Sequence, residues 1–414
     1  MLIGEILDSV KAVRDPYLRA VTYAKMGELL FKARRKEFKQ AFTKAVETAQ
    51  SIEDPVKMFR AIMVAGYYLG RAGIKAYRRI FQNIISDTEE FEGRDVILRM
   101  GVPYLVALED YEMALSYASL IEDEITVDVA RLVIIRGIRK KTEENSKEPL
   151  EWAFSAFEGI KNEPWRSKAA VDLVKINLLT GNYGGAVSTL VEINDGEWAD
   201  YAFKQVVFTL KEKGVLENYL NELWNVAETL SKSFGPELLY SLTLAFALVG
   251  EGNAAVEFLR RARASPDVFV SIANDLFNRD LDVLPVFIRA LSDDEAVAVG
   301  KAIMNRILDN PDIEHLKIVT AIGESTSDEA VWTKIARYYV LTGDFDDAIK
   351  VAFYVKDKRL RSLILADVAH NFVKMGWVSK AIDLALEVQD ERYSPLVVSE
   401  VLIKALEFEL RREG

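Results

Sequence analysis

The chain has 414 residues, no cysteine and only two histidines, His315 and His370. Without thiols there is no disulfide, no thiolate nucleophile and no cysteine-held zinc. Two imidazoles leave few parts for a nucleophile–base pair. Glutamine is scarce too, five residues beside many Lys, Arg and Glu, a composition that leans toward a thermophile. No phosphate-cradling G-x-x-x-x-G-K-[S/T] occurs. The lone Gly250-Glu251-Gly252 lies between helical patterns and reads as a hairpin turn, because a dinucleotide fingerprint needs a preceding strand. The uncharged, strongly apolar run Leu238 to Gly250 is thirteen residues, too few to span a bilayer. The start carries Glu5 and Asp8 before any basic residue and has no signal-peptide pattern. These absences predict a soluble, cytoplasmic protein with no cofactor, no metal and no membrane attachment.

Half of the residues are hydrophobic, enough to bury a large core. The net charge of −11 is uneven. Residues 1–80 hold 16 Lys and Arg against 8 Asp and Glu, a balance of +8, while the remainder holds 37 against 56, or −19. Such asymmetry points to different partners at the two ends and says nothing about fold.

The clearest internal order is a sentence written twice between Val331 and Asp390, 33 residues apart. Trp332, Ile335-Ala336, Tyr339, Gly343, Ala348, Ala352 and Val355 are restated as Leu365, Val368-Ala369, Phe372, Gly376, Ala381, Ala385 and Val388. Large apolar residues at helical spacing, a glycine, then small residues at i, i+4 describe a helical hairpin. The same order stands at Leu173-Val174, Gly181 and Ala186. Asp15-Pro16 and Glu53-Asp54-Pro55 mark helix starts, since proline suits the first turn and the aspartate before it can cap. Pro103 falls inside a helical pattern and should kink it. Pro266, Pro285 and Pro311 punctuate a stretch where the period degrades. A last helix, from Pro395 to about Arg412, has Val398, Val401, Leu402, Ala405 and Leu406 on one face and would cap the final layer.

Junctions along the chain give eleven intervals averaging about 34 residues. This divides the chain into N-terminal helical repeats with the basic end (1–140), a polar loop (141–149), central repeats (150–263), irregular repeats (264–327), and C-terminal repeats with the capping helix (328–414). The loop belongs to the polar run Arg139 to Pro149, the expected boundary or hinge.

Two helices per unit and a period near 34 resemble the tetratricopeptide repeat, best at 167–195 and in the last two full units. The resemblance implies an all-α, right-handed superhelical solenoid of about twelve hairpins with a concave inner face lined by each unit's first helix. It maps Lys168, Lys175, Thr333, Arg337, His370 and Lys374 to that face. Cations there would suit an acidic peptide or a C-terminal carboxylate. Most units lack the family's repeat-end proline, and Ala or Val holds its usual first-helix glycine position.

The other candidate surface is basic. Lys32, Arg34, Arg35, Lys36 and Lys39 surround the first hairpin turn; Arg71, Lys75, Arg78 and Arg79 hold the equivalent place one unit on. Stacked, they would form a stripe attractive to phosphate or to an acidic protein. Tyr67-Tyr68, Tyr338-Tyr339, Trp332 and Trp377 read as packing residues rather than a platform for bases. Each histidine follows an aspartate by three, Asp312 and Asp367, which reads as local pairing on a helix. The expectation is a non-catalytic scaffold or adaptor for protein partners. The alternative is an RNA- or ribosome-associated factor docking through its basic end. An enzyme lacks its parts list, and self-association through the solenoid ends has no marked interface.

Overall fold

The computed structural model describes residues 2–144, 150–390 and 394–413. Among them are 24 α-helices and four short 3-10 turns, and no strand. Contacts divide the chain into two compact units, Met1–Thr209 and Leu210–Gly414.

In the first unit α1 (Leu2–Ser9) leads into α2 (Pro16–Lys32) and α3 (Phe38–Gln50). Then come α4 (Pro55–Arg71) with α5 (Tyr77–Asp87), α6 (Arg94–Ala107) with α7 (Tyr111–Ser119), α8 (Glu124–Glu143) with α9 (Leu150–Glu158), and α10 (Trp165–Leu179) with α11 (Tyr183–Thr189). The helix α12 (Gly196–Glu212) reaches the division. In the second unit α13 (Leu220–Phe234) precedes α14 (Pro236–Leu248) with α15 (Gly252–Arg261), α16 (Pro266–Arg279) with α17 (Leu284–Arg289), and α18 (Asp293–Asp309) with α19 (Leu316–Ser325). The last are α20 (Glu329–Thr342) with α21 (Phe345–Tyr354), α22 (Lys358–Lys374) with α23 (Val378–Leu386), and α24 (Ser394–Glu413). Within each unit the first helix of a pair packs on its own second helix and on the next first helix, as α2 does on α3 and α4, and α20 on α21 and α22. This is a repeated helix pair.

The local reasons lie in the sequence. Asp15, Asp54, Asp123, Asp328 and Asp357 cap α2, α4, α8, α20 and α22, each side chain accepting a backbone N–H of the first turn. A cap of this kind contributes about 1 kcal/mol. A second device joins layers. A polar residue near the start of one first helix accepts the backbone N–H groups just before the next: Asp95 from Glu122 and Asp123, Ser167 from Asn194, Glu329 from Lys356 and Asp357, Ser362 from Asp390. Those N–H groups would otherwise lack partners at the loop. Ala41, Ala45, Ala114, Ala118, Ala348, Ala352, Ala381 and Ala385 on the second helices are buried and let the helices approach closely, while Phe81, Tyr117 and Tyr338 fill the space between.

The hairpin turns need a left-handed residue. Gly343 and Gly376 supply it with φ of 85° and 79°. Gly252 answers a different need: a Cβ there would lie 2.7 Å from the Val286 carbonyl oxygen, so α15 and α17 meet backbone to backbone.

Four sequence expectations change. Helix α8 runs on to Glu143 through part of the expected polar loop, because Arg139 pairs with Asp172 and Lys141 with Glu109, and both face acids in the last turn. Residues 145–149 of that loop lie outside the described ones. Pro266 and Pro285 do not break the repeat; they occupy the first turns of α16 and α17. In α24, which packs on α22 and α23, the core face is Val397 and Val401, while Leu402 and Leu406 are exposed. The imidazoles do not hydrogen-bond to Asp312 and Asp367, although the His315 backbone N–H donates to the Asp312 carbonyl. His315 stacks on Phe277, and His370 Nε2 lies 3.1 Å from Glu400, off the line of a hydrogen bond.

Candidate partner-binding face

The basic residues of the first two hairpin turns divide into two sets. Three are tied to acids of the fold. Glu28, a buried carboxylate on α2, receives Lys32 at 2.6 Å and Arg71 at 3.1 Å, which joins the ends of α2 and α4. Asp110, buried at the start of α7, takes Arg78 through Nε and Nη2 at 2.8 Å each and the Tyr77 hydroxyl at 2.7 Å. Arg34, Arg35, Lys36, Lys39, Lys75 and Arg79 are exposed and have no ion pair among the described residues. The same turn edge continues as Glu109–Lys141 at 2.7 Å and Asp172 with Arg136 and Arg139. The fold therefore neutralises most of this edge and leaves its free cations at the first two turns.

The first turn also holds a recess. Phe31 and Phe38 meet edge to face with centroids 5.0 Å apart, and with Ala72 they form its apolar floor. Lys32, Arg34, Arg35 and Lys36 line the rest of a space of about 450 Å³. Arg34 adopts φ 57°, at the turn position that Gly73, Gly181 and Gly343 fill in other hairpins. An arginine in that region costs on the order of 1–2 kcal/mol.

A neighbouring surface escaped the sequence reading. On α2, α4 and α6 the half-buried Tyr17, Tyr67 and Tyr104 interleave with Arg60 and Arg71. Arg60 lies over the Tyr17 ring at 5.6 Å, and the neighbouring Tyr104 first, then Tyr17, hold its pKa above the ordinary arginine value. Tyr67 meets Tyr104 at 5.7 Å, and Arg71 lies over both Tyr67 and Tyr68. Burial pushes the Tyr17 phenol up, so it stays a neutral donor. A signal existed in the sequence: Tyr67 and Arg71 sit at i, i+4, as cation–π partners on one helix do.

Of the residues mapped to an inner face, two lie in the first unit and four in the second. In the first unit Lys168 covers Trp165 at 4.9 Å and Lys175 covers Tyr201 at 5.0 Å. In the second unit Thr333 is turned back on its own helix, its hydroxyl donating to Glu329 O at 2.8 Å. Arg337, His370 and Lys374 instead gather around Asp367. That carboxyl is open to solvent yet crowded by protein; desolvation raises its pKa, and the nearby Arg337, His370 and Lys374 only partly offset it.

Trp332, Tyr338 and Tyr339 serve packing as expected. The Trp332 indole donates to Thr326 O at 2.8 Å, and the Tyr338 hydroxyl donates to Asp312 O at 2.7 Å. Among the described residues no helix is long and apolar enough to cross a membrane, and no cluster of three His, Asp or Glu could hold a metal ion.

No protein-family model matches the chain, and no curated protein matches it significantly. Among solved structures it aligns with the protein Ton1535 of Thermococcus onnurineus NA1 at 12% identity, over 93% of this chain and 99% of that one, with a TM-score of 0.23. It also aligns with a circular tandem repeat protein described by its novel repeat topology and enhanced subunit contact surfaces, at 14% identity over 98% and 100%, with a TM-score of 0.21. Scores this low do not establish a shared fold.

Proposed function

We propose that this chain is a non-catalytic scaffold or adaptor, a tetratricopeptide-like solenoid that holds a protein partner on the first helices of its N-terminal repeats. The observation that carries the reading is the tyrosine–arginine face on α2, α4 and α6. Tyr and Arg are the residues that most often dominate binding energy at interfaces, because they offer large contact area with a polar end. Here Tyr17, Arg60, Tyr67, Arg71 and Tyr104 brace one another across three helices, so little side-chain freedom is left to lose on binding. In the second unit, Arg337 and Lys374 near Asp367 offer further cations on first helices of their pairs.

The test is affinity purification from native lysate with mass spectrometry, at low and high salt, comparing the wild type with the double variant Arg60→Ala, Tyr104→Ala. A partner held by the wild type and lost by the variant is expected. A chain that stays alone, or a variant that keeps every partner, overturns the reading. The free cations Arg34, Arg35, Lys36, Lys39, Lys75 and Arg79 favour a second reading, RNA or ribosome association through the basic end. It predicts steep salt dependence. Charge reversal at Arg34, Arg35 and Arg79 that leaves RNA association unchanged sinks it.

A further inference from the structure

We infer that the recess at the first hairpin turn is a binding site for a short acidic segment of a partner protein, with one large apolar side chain of that segment seated on the floor formed by Phe31, Phe38 and Ala72. The inference rests on the scaffold reading and names the chemistry of its partner.

Three observations meet at this place. The floor is apolar, and a space of about 450 Å³ falls within the range of ligand pockets. It is large enough for one bulky side chain and its neighbours. The rim is cationic and uncompensated: Lys32 is committed to Glu28, but Arg34, Arg35 and Lys36 have no acidic partner among the described residues. The turn keeps an arginine, Arg34, in a backbone conformation that glycine supplies in most other hairpins. The charge is thus retained at a conformational cost. An apolar floor under a cationic rim selects an apolar anchor flanked by carboxylates.

The layout also separates this ligand from a nucleic acid. A phosphate backbone is bound by a track of cations spaced along it. Past the first two turns this edge pairs Lys141 with Glu109 and Arg136 and Arg139 with Asp172, which interrupts the run of free cations. Phe31 and Phe38 meet edge to face, so the pair offers no flat two-ring platform for stacked bases. A short acidic segment matches a charge cluster confined to this end.

The probes are fluorescein-labelled synthetic peptides of acidic residues around a central phenylalanine, the same peptide with alanine at the centre, a lysine-containing counterpart, and a short single-stranded RNA. Fluorescence anisotropy is read with the full chain at low and physiological salt. The phenylalanine peptide should bind, and the alanine peptide should bind on the order of tenfold more weakly, because the seated ring leaves water. The double variant Arg35→Glu, Lys36→Glu should lose about tenfold or more in affinity. Both positions are exposed, and circular dichroism checks that its helix content matches the wild type.

Equal binding of the phenylalanine and alanine peptides overturns the inference. So does RNA that binds more tightly than either, or a double variant with unchanged affinity. Self-association abolished by the same variant in analytical ultracentrifugation assigns the recess to a second copy and overturns the partner assignment. A partner captured equally by wild type and double variant sinks this site but leaves the scaffold reading standing. Peptide binding without any captured partner does the reverse.

Discussion

The carboxylate of Asp110 offers the sharpest test of how the layers are joined. It caps α7 and holds Tyr77 and Arg78, from the preceding repeat, while nearly fully buried. Replacing it with alanine removes a cap worth about 1 kcal/mol. It also removes a hydrogen bond from a phenol to a charged acceptor, about 1.5 kcal/mol. The Arg78 pair adds less than its geometry suggests, since that guanidinium is half exposed and water can replace the lost partner; about 0.5 kcal/mol is reasonable. Asp110→Ala should therefore cost roughly 3 kcal/mol. Asp110→Asn keeps the cap and one acceptor and should cost about 1 kcal/mol. Repeat arrays open locally, so a single melting temperature is a poor readout. Hydrogen exchange by mass spectrometry reads the affected helices directly. Amides of α5 to α7 should exchange roughly a hundredfold faster in Asp110→Ala, and about fivefold faster in Asp110→Asn, on the rule that 1.4 kcal/mol is tenfold. An acceleration below about tenfold in the alanine variant, or equal effects of the two, would refute the ledger.

Asp367 sets a pH-dependent prediction. Its folded pKa is raised, so the native state prefers the protonated form, and the cost of ionising it grows as pH rises through the folded value. Asp367→Asn should stabilise the second unit at neutral pH, and the gain should vanish below the ordinary carboxylate range; thermal melts at pH 3 and pH 7 check this. Gly252→Ala places a methyl group against the Val286 carbonyl and should destabilise by about 1–3 kcal/mol in urea titrations. Arg34→Gly should relieve backbone strain, stabilising the first hairpin by up to about 1 kcal/mol, while weakening the acidic peptide. A variant that gains stability with no loss of peptide binding would detach Arg34 from the recess.

What the sequence determined by itself is the grammar of the repeat. Helix spacing, Asp-Pro starts, turn glycines and the alanines of second helices are local instructions, set within a few residues by capping, φ preference and side-chain volume. They could be read from one strand of text, and Asp15, Asp54, Gly343 and Ala348 stand where that grammar put them. Even there, the length of α8 was misread, because Arg139 and Lys141 look like a loop until Asp172 and Glu109 stand beside them. The candidate site was only half legible for the same reason. The sequence showed a basic block but not which of its charges the fold had already spent. Lys32 meets Glu28 on its own helix, but Arg71 reaches it from the next repeat, and Arg78 meets Asp110 across 32 residues. Tyr17, Arg60 and Tyr104 share a face only because three first helices stack. Electrostatics and ring contacts act over a few ångströms of space, while the chain separates their partners by a whole repeat. Only the tertiary structure could divide the basic end into a neutralised edge and a free recess.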